Sequence, residues 1–306
     1  MRTEENPADT RERSGPPGAV LINPMRRAVI NRGALGGCVV TGTEKIRSGY
    51  GNGDCVLIDF KNLIFAVCDA TERFPEASRA LLERLDARIS EGDLPNGRDE
   101  WLKLVNEVYA GQKYNYKTTF SCVALGRKHK TNAAFVIHGG DSIVLKHDPV
   151  SKKIDFSTTA DMLFAGRSRE IYKVHKISID PEGFDFLIAS DGLSDVARLA
   201  GISTDELVSA TFSRYPPHEV PDRLAKFLGR LPEGAEYDDI SVIAFSNNIR
   251  PDDKLPPIFV GGTTRIEETF YQKKLKENGS NDRRPADKYE SVGKADLSSY
   301  GIRINF

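Results

Sequence analysis

The stretch Phe184-Asp185-Phe186-Leu187-Ile188-Ala189-Ser190-Asp191-Gly192-Leu193-Ser194-Asp195-Val196 decides how this chain is read. An apolar run carries a carboxylate, Asp191, to its C-terminal end. Gly192 then turns the chain, and a second carboxylate, Asp195, follows. Two related arrangements occur elsewhere: Leu63-Ile64-Phe65-Ala66-Val67-Cys68 ends on Asp69, and Asp238-Asp239 precede Ile240-Ser241-Val242-Ile243-Ala244-Phe245. Carboxylates set repeatedly at strand ends suggest a site for hard cations, because Mg2+ and Mn2+ prefer oxygen ligands.

Working outward, strand-like runs rich in Val, Ile, Phe and Cys fall at 37–42, 54–60, 63–68, 118–125, 132–138, 142–147, 174–180, 184–190 and 240–246. Helical patterning covers 74–91, where Ala77, Leu81, Leu85 and Ile89 recur every four residues, and 98–111. Three more helices are expected between Gly192 and Gly229. Strands come in blocks and so do helices, which favours an α+β fold over an alternating βαβ one. The expectation is a central antiparallel β-sandwich flanked by helix pairs, in four layers α-β-β-α. Asn115 to His147 reads as a meander of three strands, with turns at Arg127–Lys130 and Gly139-Gly140-Asp141.

The domain expectation is a flexible leader at 1–33, a compact domain at 34–248 and a polar, partly disordered extension at 249–306. The extension is broken by Pro251, Pro256, Pro257, Gly261 and Gly262, with a short helix expected around Ile266 to Lys276. Its last residues, Gly301-Ile302-Arg303-Ile304-Asn305-Phe306, alternate like a strand, but a frayed terminus is the expectation. With 306 residues and a net charge of -1, the chain can bury a sizeable core and has no global attraction to nucleic acid or anionic membrane. There is no apolar run of about 18 residues to span a bilayer, and Met1-Arg2-Thr3-Glu4-Glu5 lacks a secretory pattern. Cys38, Cys55, Cys68 and Cys122 sit in apolar runs without CxxC spacing, as expected of buried free thiols in a reducing cytoplasm.

Each candidate carboxylate has a bland explanation when taken alone. Asp191-Gly192 is a common turn, and Asp69 suits a helix cap. Asp141 serves the Gly139-Gly140 bend, Asp54 starts its strand, Asp195 suits a first helical turn, and Asp238-Asp239 form a solvated edge. The joint pattern is what singles them out, because clustered carboxylates raise one another's pKa and are tolerated most easily beside divalent cations.

In order along the chain, Asp69, Gly139-Gly140-Asp141-Ser142, Ser190-Asp191-Gly192-Leu193 with Asp195-Val196, and Asp238-Asp239-Ile240-Ser241-Val242 resemble motifs of the metal-dependent protein phosphatases of type 2C, and Thr118-Thr119-Phe120 resembles that family's Gly-Thr-Thr strand start, with Lys117 where glycine is usual. The resemblance is to a divergent, bacterial-like member and covers roughly 34–247. It implies that Asp69 bridges two Mg2+ or Mn2+ ions with help from the Ala70 carbonyl. Asp191 and Asp238 hold one ion, and Asp54 lies in the shell of the other, largely through water. Asp141 and Asp195, with Asp191, match a third, weaker site. By the same resemblance a metal-activated water hydrolyses phosphoserine or phosphothreonine in a phosphorylated protein, in line and without a phosphoenzyme. Asp69, Asp191 and Asp238 are then catalytic, and Arg47 grips the phosphate.

The sequence departs from the family pattern in places. Asp69-Ala70-Thr71-Glu72 replaces the usual glycine-rich run, and Thr71 falls where some members carry a histidine proposed as general acid. Gly53 replaces a glutamate before Asp54, and Asp239 stands where asparagine is common. These departures motivate an alternative, a catalytically weak or inactive phosphatase-like module that binds partners. A metal-dependent nuclease is argued against by the near-neutral charge and the lack of a basic stripe. His138 is expected to be a satisfied core or edge histidine, and Trp101 a packing anchor. No partner beyond the phosphoprotein is called for, and the oligomeric state is not legible.

Overall fold

In a strand covered on both faces, neighbouring residues serve different cores, so the whole strand is apolar. The run from Phe184 shows this. The computed structural model describes residues 18–19, 27–44, 50–126, 132–179, 183–265, 269, 273 and 297–305. In it, Phe186 and Ile188 point into an inner core between two sheets, while Leu187 and Ala189 point into an outer core under helices.

The first sheet has the order β1 (Gly18–Ala19), β13 (Ile258–Gly261), β4 (Asp54–Asp59), β5 (Ile64–Asp69), β6 (Phe120–Leu125), β7 (Ala133–Gly139), β10 (Val174–Ser178). The second has the order β14 (Ile302–Asn305), β2 (Arg27–Arg32), β3 (Leu35–Val40), β12 (Ile240–Ser246), β11 (Asp185–Ala189), β8 (Ile143–Asp148), β9 (Lys153–Ser157). All pairings are antiparallel except β1 with β13. Phe65 from one sheet and Phe186 and Phe245 from the other meet in the inner core, with ring centroids 4.3 Å apart for Phe65–Phe245 and 5.5 Å for Phe186–Phe245.

Helices α1 (Glu76–Glu91) and α2 (Arg98–Ala110) cover the outer face of the first sheet through Leu81, Leu85, Trp101 and Val105. Helices α3 (Gly192–Leu199), α4 (Thr204–Val208), which runs into a π-helical turn at Ser209–Ser213, and α5 (Val220–Leu228) cover the second. The four layers α-β-β-α are those expected. Trp101 is 1% exposed and packs near Phe135, and all four cysteines are buried and free. His138 is satisfied by Ser121 Oγ at 3.0 Å and the Thr159 carbonyl at 3.2 Å.

Three expectations are corrected. The meander breaks after its second strand: β6 and β7 pair in the first sheet, but β8 joins the second. The chain crosses between the sheets at Gly139-Gly140-Asp141, because β8 finds its partners in β11 and β9. The packed unit also extends beyond 34–248 on both sides. Strand β2 precedes it, β13 pairs with β4, and β14 pairs with β2. The C-terminal alternation is therefore a real edge strand rather than a frayed end, since Ile302 closes the inner core beside Tyr300. Of the tail helix expected around Ile266 to Lys276, the described residues Thr269 and Lys273 are helical, as is Arg265 just before it, and the rest fall outside the described residues. The turn at Arg127–Lys130 and most of the leader also fall outside them. Among the described residues, no helix is long and apolar enough to cross a membrane.

Ile258, Phe259 and Val260 are fully buried, so β13 is core. Phe259→Ala is expected to cost about 3–5 kcal/mol, measured by denaturant unfolding. A shortened chain spanning 34–248 is expected to lose its cooperative thermal transition. A sharp melt equal to that of the full chain would show that the flanking strands are dispensable.

Candidate active site

The two-residue alternation also fixes what happens where the strands end. In β4, Val56 and Ile58 face the inner core, so Asp54 faces the same way. In β5, Phe65 and Val67 set the direction of Asp69; in β11, Phe186 and Ile188 set that of Ser190; in β12, Ile243 and Phe245 set that of Ser241. Register puts Asp54 opposite Asp69. One end of the sandwich is thus closed by polar side chains that continue the inward-facing rows of the core.

The acidic centre is built on these positions. Carboxylate oxygens of Asp69, Asp141 and Asp191 lie within 4.8 Å of one another. Asp69 and Asp141 are half-buried, and Asp191 is exposed. Asp191 leads into α3, where Gly192 packs so tightly that a Cβ would lie 2.0 Å from the Asp239 carbonyl. Only glycine fits there, and the close approach sets Asp191 beside the Asp238-Asp239 turn.

The main chain of Asp69 is held by both threonines of the Thr118-Thr119 pair. Asp69 N donates to Thr119 Oγ1 at 2.9 Å, and Thr118 Oγ1 donates to the Asp69 carbonyl at 2.9 Å. Thr119 Oγ1 also lies 2.7 Å from Ser142 Oγ, which ties the Asp141 turn to the same point. That turn is held from outside by Asp161, whose Oδ1 accepts from Gly140 N at 2.8 Å.

The other expected residues sit around this triad. Asp54 is fully buried; its Oδ2 accepts from Ser190 Oγ at 2.6 Å, and its Oδ1 has no hydrogen-bond partner. Ser190 Oγ in turn accepts from Ser241 N at 2.9 Å. Asp238 Oδ1 accepts from Asp239 N at 2.7 Å, and its charge acts on both Asp69 and Asp191. Asp195 Oδ2 accepts from Asp238 N at 3.4 Å, and its other oxygen pairs with Arg198 at 3.0 Å. Ala70 follows Asp69 and is buried against the Gly53 turn. Arg47 lies outside the described residues. Arg167 and Arg169 are exposed on the loop between β9 and β10.

The electrostatics match this crowding. Burial raises the Asp69 pKa well above its ordinary value, and the negative charges of Asp54, Asp191 and Asp238 raise it further. Asp191 is raised by burial and then by Asp141. Asp54 is raised by burial and by Asp239, with the Ser190 hydrogen bond acting the other way. Three convergent carboxylates, a buried carboxylate oxygen without a partner and an all-oxygen donor set fit a hard divalent cation.

Sequence reasoning did not find Ser190 and Ser241 as braces, Asp161 as the clamp on Gly140, or Asp239 as a buried acceptor. The serines follow from inward parity in β11 and β12, once the strand ends are known. Asp161 stands in a loop with no periodic signal.

No sequence-family profile matches the chain, and no curated protein matches it by sequence. Solved structures do. The PPM Ser-Thr phosphatase MsPP from Mycobacterium smegmatis aligns over 69% of this chain and 97% of its own, at 19% identity and a TM-score of 0.51. The catalytic domain of the serine threonine protein phosphatase PstP, solved with 2 manganese ions, aligns over 72% and 99%, at 16% identity and a TM-score of 0.51. The photosystem II phosphatase PBCP aligns over 69% and 96%, at 18% identity and a TM-score of 0.52. The chain is a divergent representative of the PPM, or type 2C, phosphatase fold.

A raised carboxylate pKa in the folded state has a definite consequence for stability. The contribution of such a group is complete below its ordinary value of 3.8 and is lost as pH rises through the folded value. Asp54→Asn removes that dependence with little change of shape. In a chelator, the variant is expected to gain melting temperature over the parent as pH rises from mildly acidic to mildly alkaline. A pH-independent difference, or a steady loss, would contradict the buried, raised carboxyl.

Proposed function

We propose that this chain is a divalent-cation-dependent phosphatase that acts on phosphoserine or phosphothreonine in proteins. The observation that carries the reading is the convergence of Asp69, Asp141 and Asp191 at the polar end of a type 2C sandwich. Asp69, Asp141 and Asp191 would hold the ions with the Ala70 carbonyl, Asp195 and Asp238 would complete the set from the rim, and Asp54 would act from behind. Mg2+ or Mn2+, two or three ions, is the matching cofactor; PstP was solved with manganese. When bound, such ions lower the pKa of a water and shield the oxygens of a phosphate monoester from its attack.

The protein's own part is positional. Thr118 and Thr119 fix Asp69, Ser142 and Asp161 fix the Asp141 turn, and Ser190 holds Asp54 against the second sheet. A rigid carboxylate frame keeps the reacting groups in line without rearrangement. The cysteines are unsuited to serve as nucleophiles, because burial pushes Cys38 and Cys55 up to about 12, far from the thiolate form. Arg47 is the proposed phosphate grip, through a bidentate guanidinium. Protein substrates are supported by the family resemblance and by the serine/threonine specificity named for MsPP and PstP.

The full chain is expected to hydrolyse an aryl phosphate and a phosphothreonine peptide with Mn2+ and to stop on chelation. Asp69→Asn and Asp191→Asn should each lower kcat/KM by at least two orders of magnitude, about 2.7 kcal/mol of transition-state stabilisation. Folded protein without Mn2+-dependent turnover on either substrate would leave only the partner-binding alternative. Because Asp69 and Asp191 have raised pKa values without metal, binding should release protons and tighten as pH rises. Calorimetry in two buffers of different ionisation enthalpy measures the release.

A further inference from the structure

Asp239 is 2% exposed, and its two carboxylate oxygens are used on two different loops. Oδ1 accepts from Gly42 N at 2.7 Å, just after β3 of the second sheet. Oδ2 accepts from Gly53 N at 2.6 Å, just before β4 of the first. One side chain thus ties the two sheets together at the mouth of the site.

The second of these bonds changes the ladder beside Asp69. Ala70 N donates to the Gly53 carbonyl at 3.1 Å. In a regular antiparallel pair the two residues exchange both bonds, so Gly53 N would donate back to the Ala70 carbonyl. Here Gly53 N turns to Asp239 instead, and the reciprocal bond is not made. The Ala70 carbonyl is released from the ladder at the residue next to Asp69. The local shape permits this only with glycine at 53, since a Cβ there would lie 2.8 Å from the Ala70 oxygen and 3.6 Å from Asp239 Oδ2.

Resting on the phosphatase reading above, we propose that Asp239 is a positioning residue: by taking the Gly53 N–H it frees the Ala70 carbonyl as an oxygen donor for the divalent ion beside Asp69. A carboxylate is suited to this because both of its oxygens accept. Asparagine offers one acceptor and turns an NH2 group towards the other N–H, so it can hold Gly42 or Gly53 but not both. The Asp239 and Gly53 departures from the family pattern are then two halves of one device. Gly53 lets the carbonyl sit close, and Asp239 keeps its ladder partner away.

The test compares Mn2+ binding by calorimetry, aryl-phosphate kinetics and melting temperature in wild type, Asp239→Asn, Gly53→Ala and Leu85→Ala. Leu85→Ala is a control that destabilises the α1 layer away from the loops. Asp239→Asn is expected to weaken Mn2+ binding about 10- to 100-fold, as loss of a group that orients a ligand does. Raising Mn2+ should restore most of its turnover. Gly53→Ala keeps the carboxylate but crowds the carbonyl, and should reproduce the loss of affinity. It decides the matter if Asp239→Asn does not fold. Leu85→Ala should lose stability and keep its Mn2+ affinity. Wild-type affinity in both loop variants, or an equal affinity loss in Leu85→Ala, overturns the positioning role while the phosphatase reading stands. Wild type that binds no Mn2+ overturns both, and is told apart by the parent alone.

Discussion

The arrangement depends on strands that are covered on both faces and therefore alternate between two cores. Such strands deliver alternate side chains to the inter-sheet space along their whole length, including the last position before the chain turns away. At one end of the sandwich that last position is polar in several strands at once. Asp54, Asp69, Ser190 and Ser241 continue the rows begun by Val56, Val67, Ile188 and Ile243. The site is the polar end of the hydrophobic core, built on the same backbone and held by the same packing.

This placement has an energetic cost. Carboxylates next to an apolar interior lose hydration, and those close to one another also repel. The structure offsets part of it with neutral donors: Ser190 on Asp54, and backbone N–H groups on Asp238 and Asp239. Among the described residues, Arg198 also pairs with Asp195 at the exposed rim. A cluster of carboxylates braced by neutral donors suits a cationic ligand.

The braces also show how the fold divides its labour. The ends of β5 and β11 deliver Asp69 and Asp191 to the acidic centre, while the crossing at Gly139-Gly140-Asp141 brings the third carboxylate in from the turn between the sheets. The flanking strands β13 and β14 carry no candidate ligand, yet they cover β4 and β2, on which Asp54 and the Gly42 side of the site rely.

Much of this was legible in the chain. Continuous apolar runs ending in Asp69 and Asp191, and the run after Asp238-Asp239, marked strands of a doubly covered sandwich. Blocks of strands and helices pointed to its layers, because periodicity is a local property that the backbone expresses wherever it lies. Partners are not local. That β8 leaves the sheet of β6 and β7, that Ile302–Asn305 closes an edge instead of fraying, and that Asp239 reaches Gly42 and Gly53 across most of the chain depend on which surfaces meet once the cores close. The sequence by itself determined which residues face inward and that acids stand at strand ends. Only the tertiary structure decided which of those acids converge, since a carboxylate becomes part of a site through its distance from others, and that distance is set by packing between segments remote in the chain.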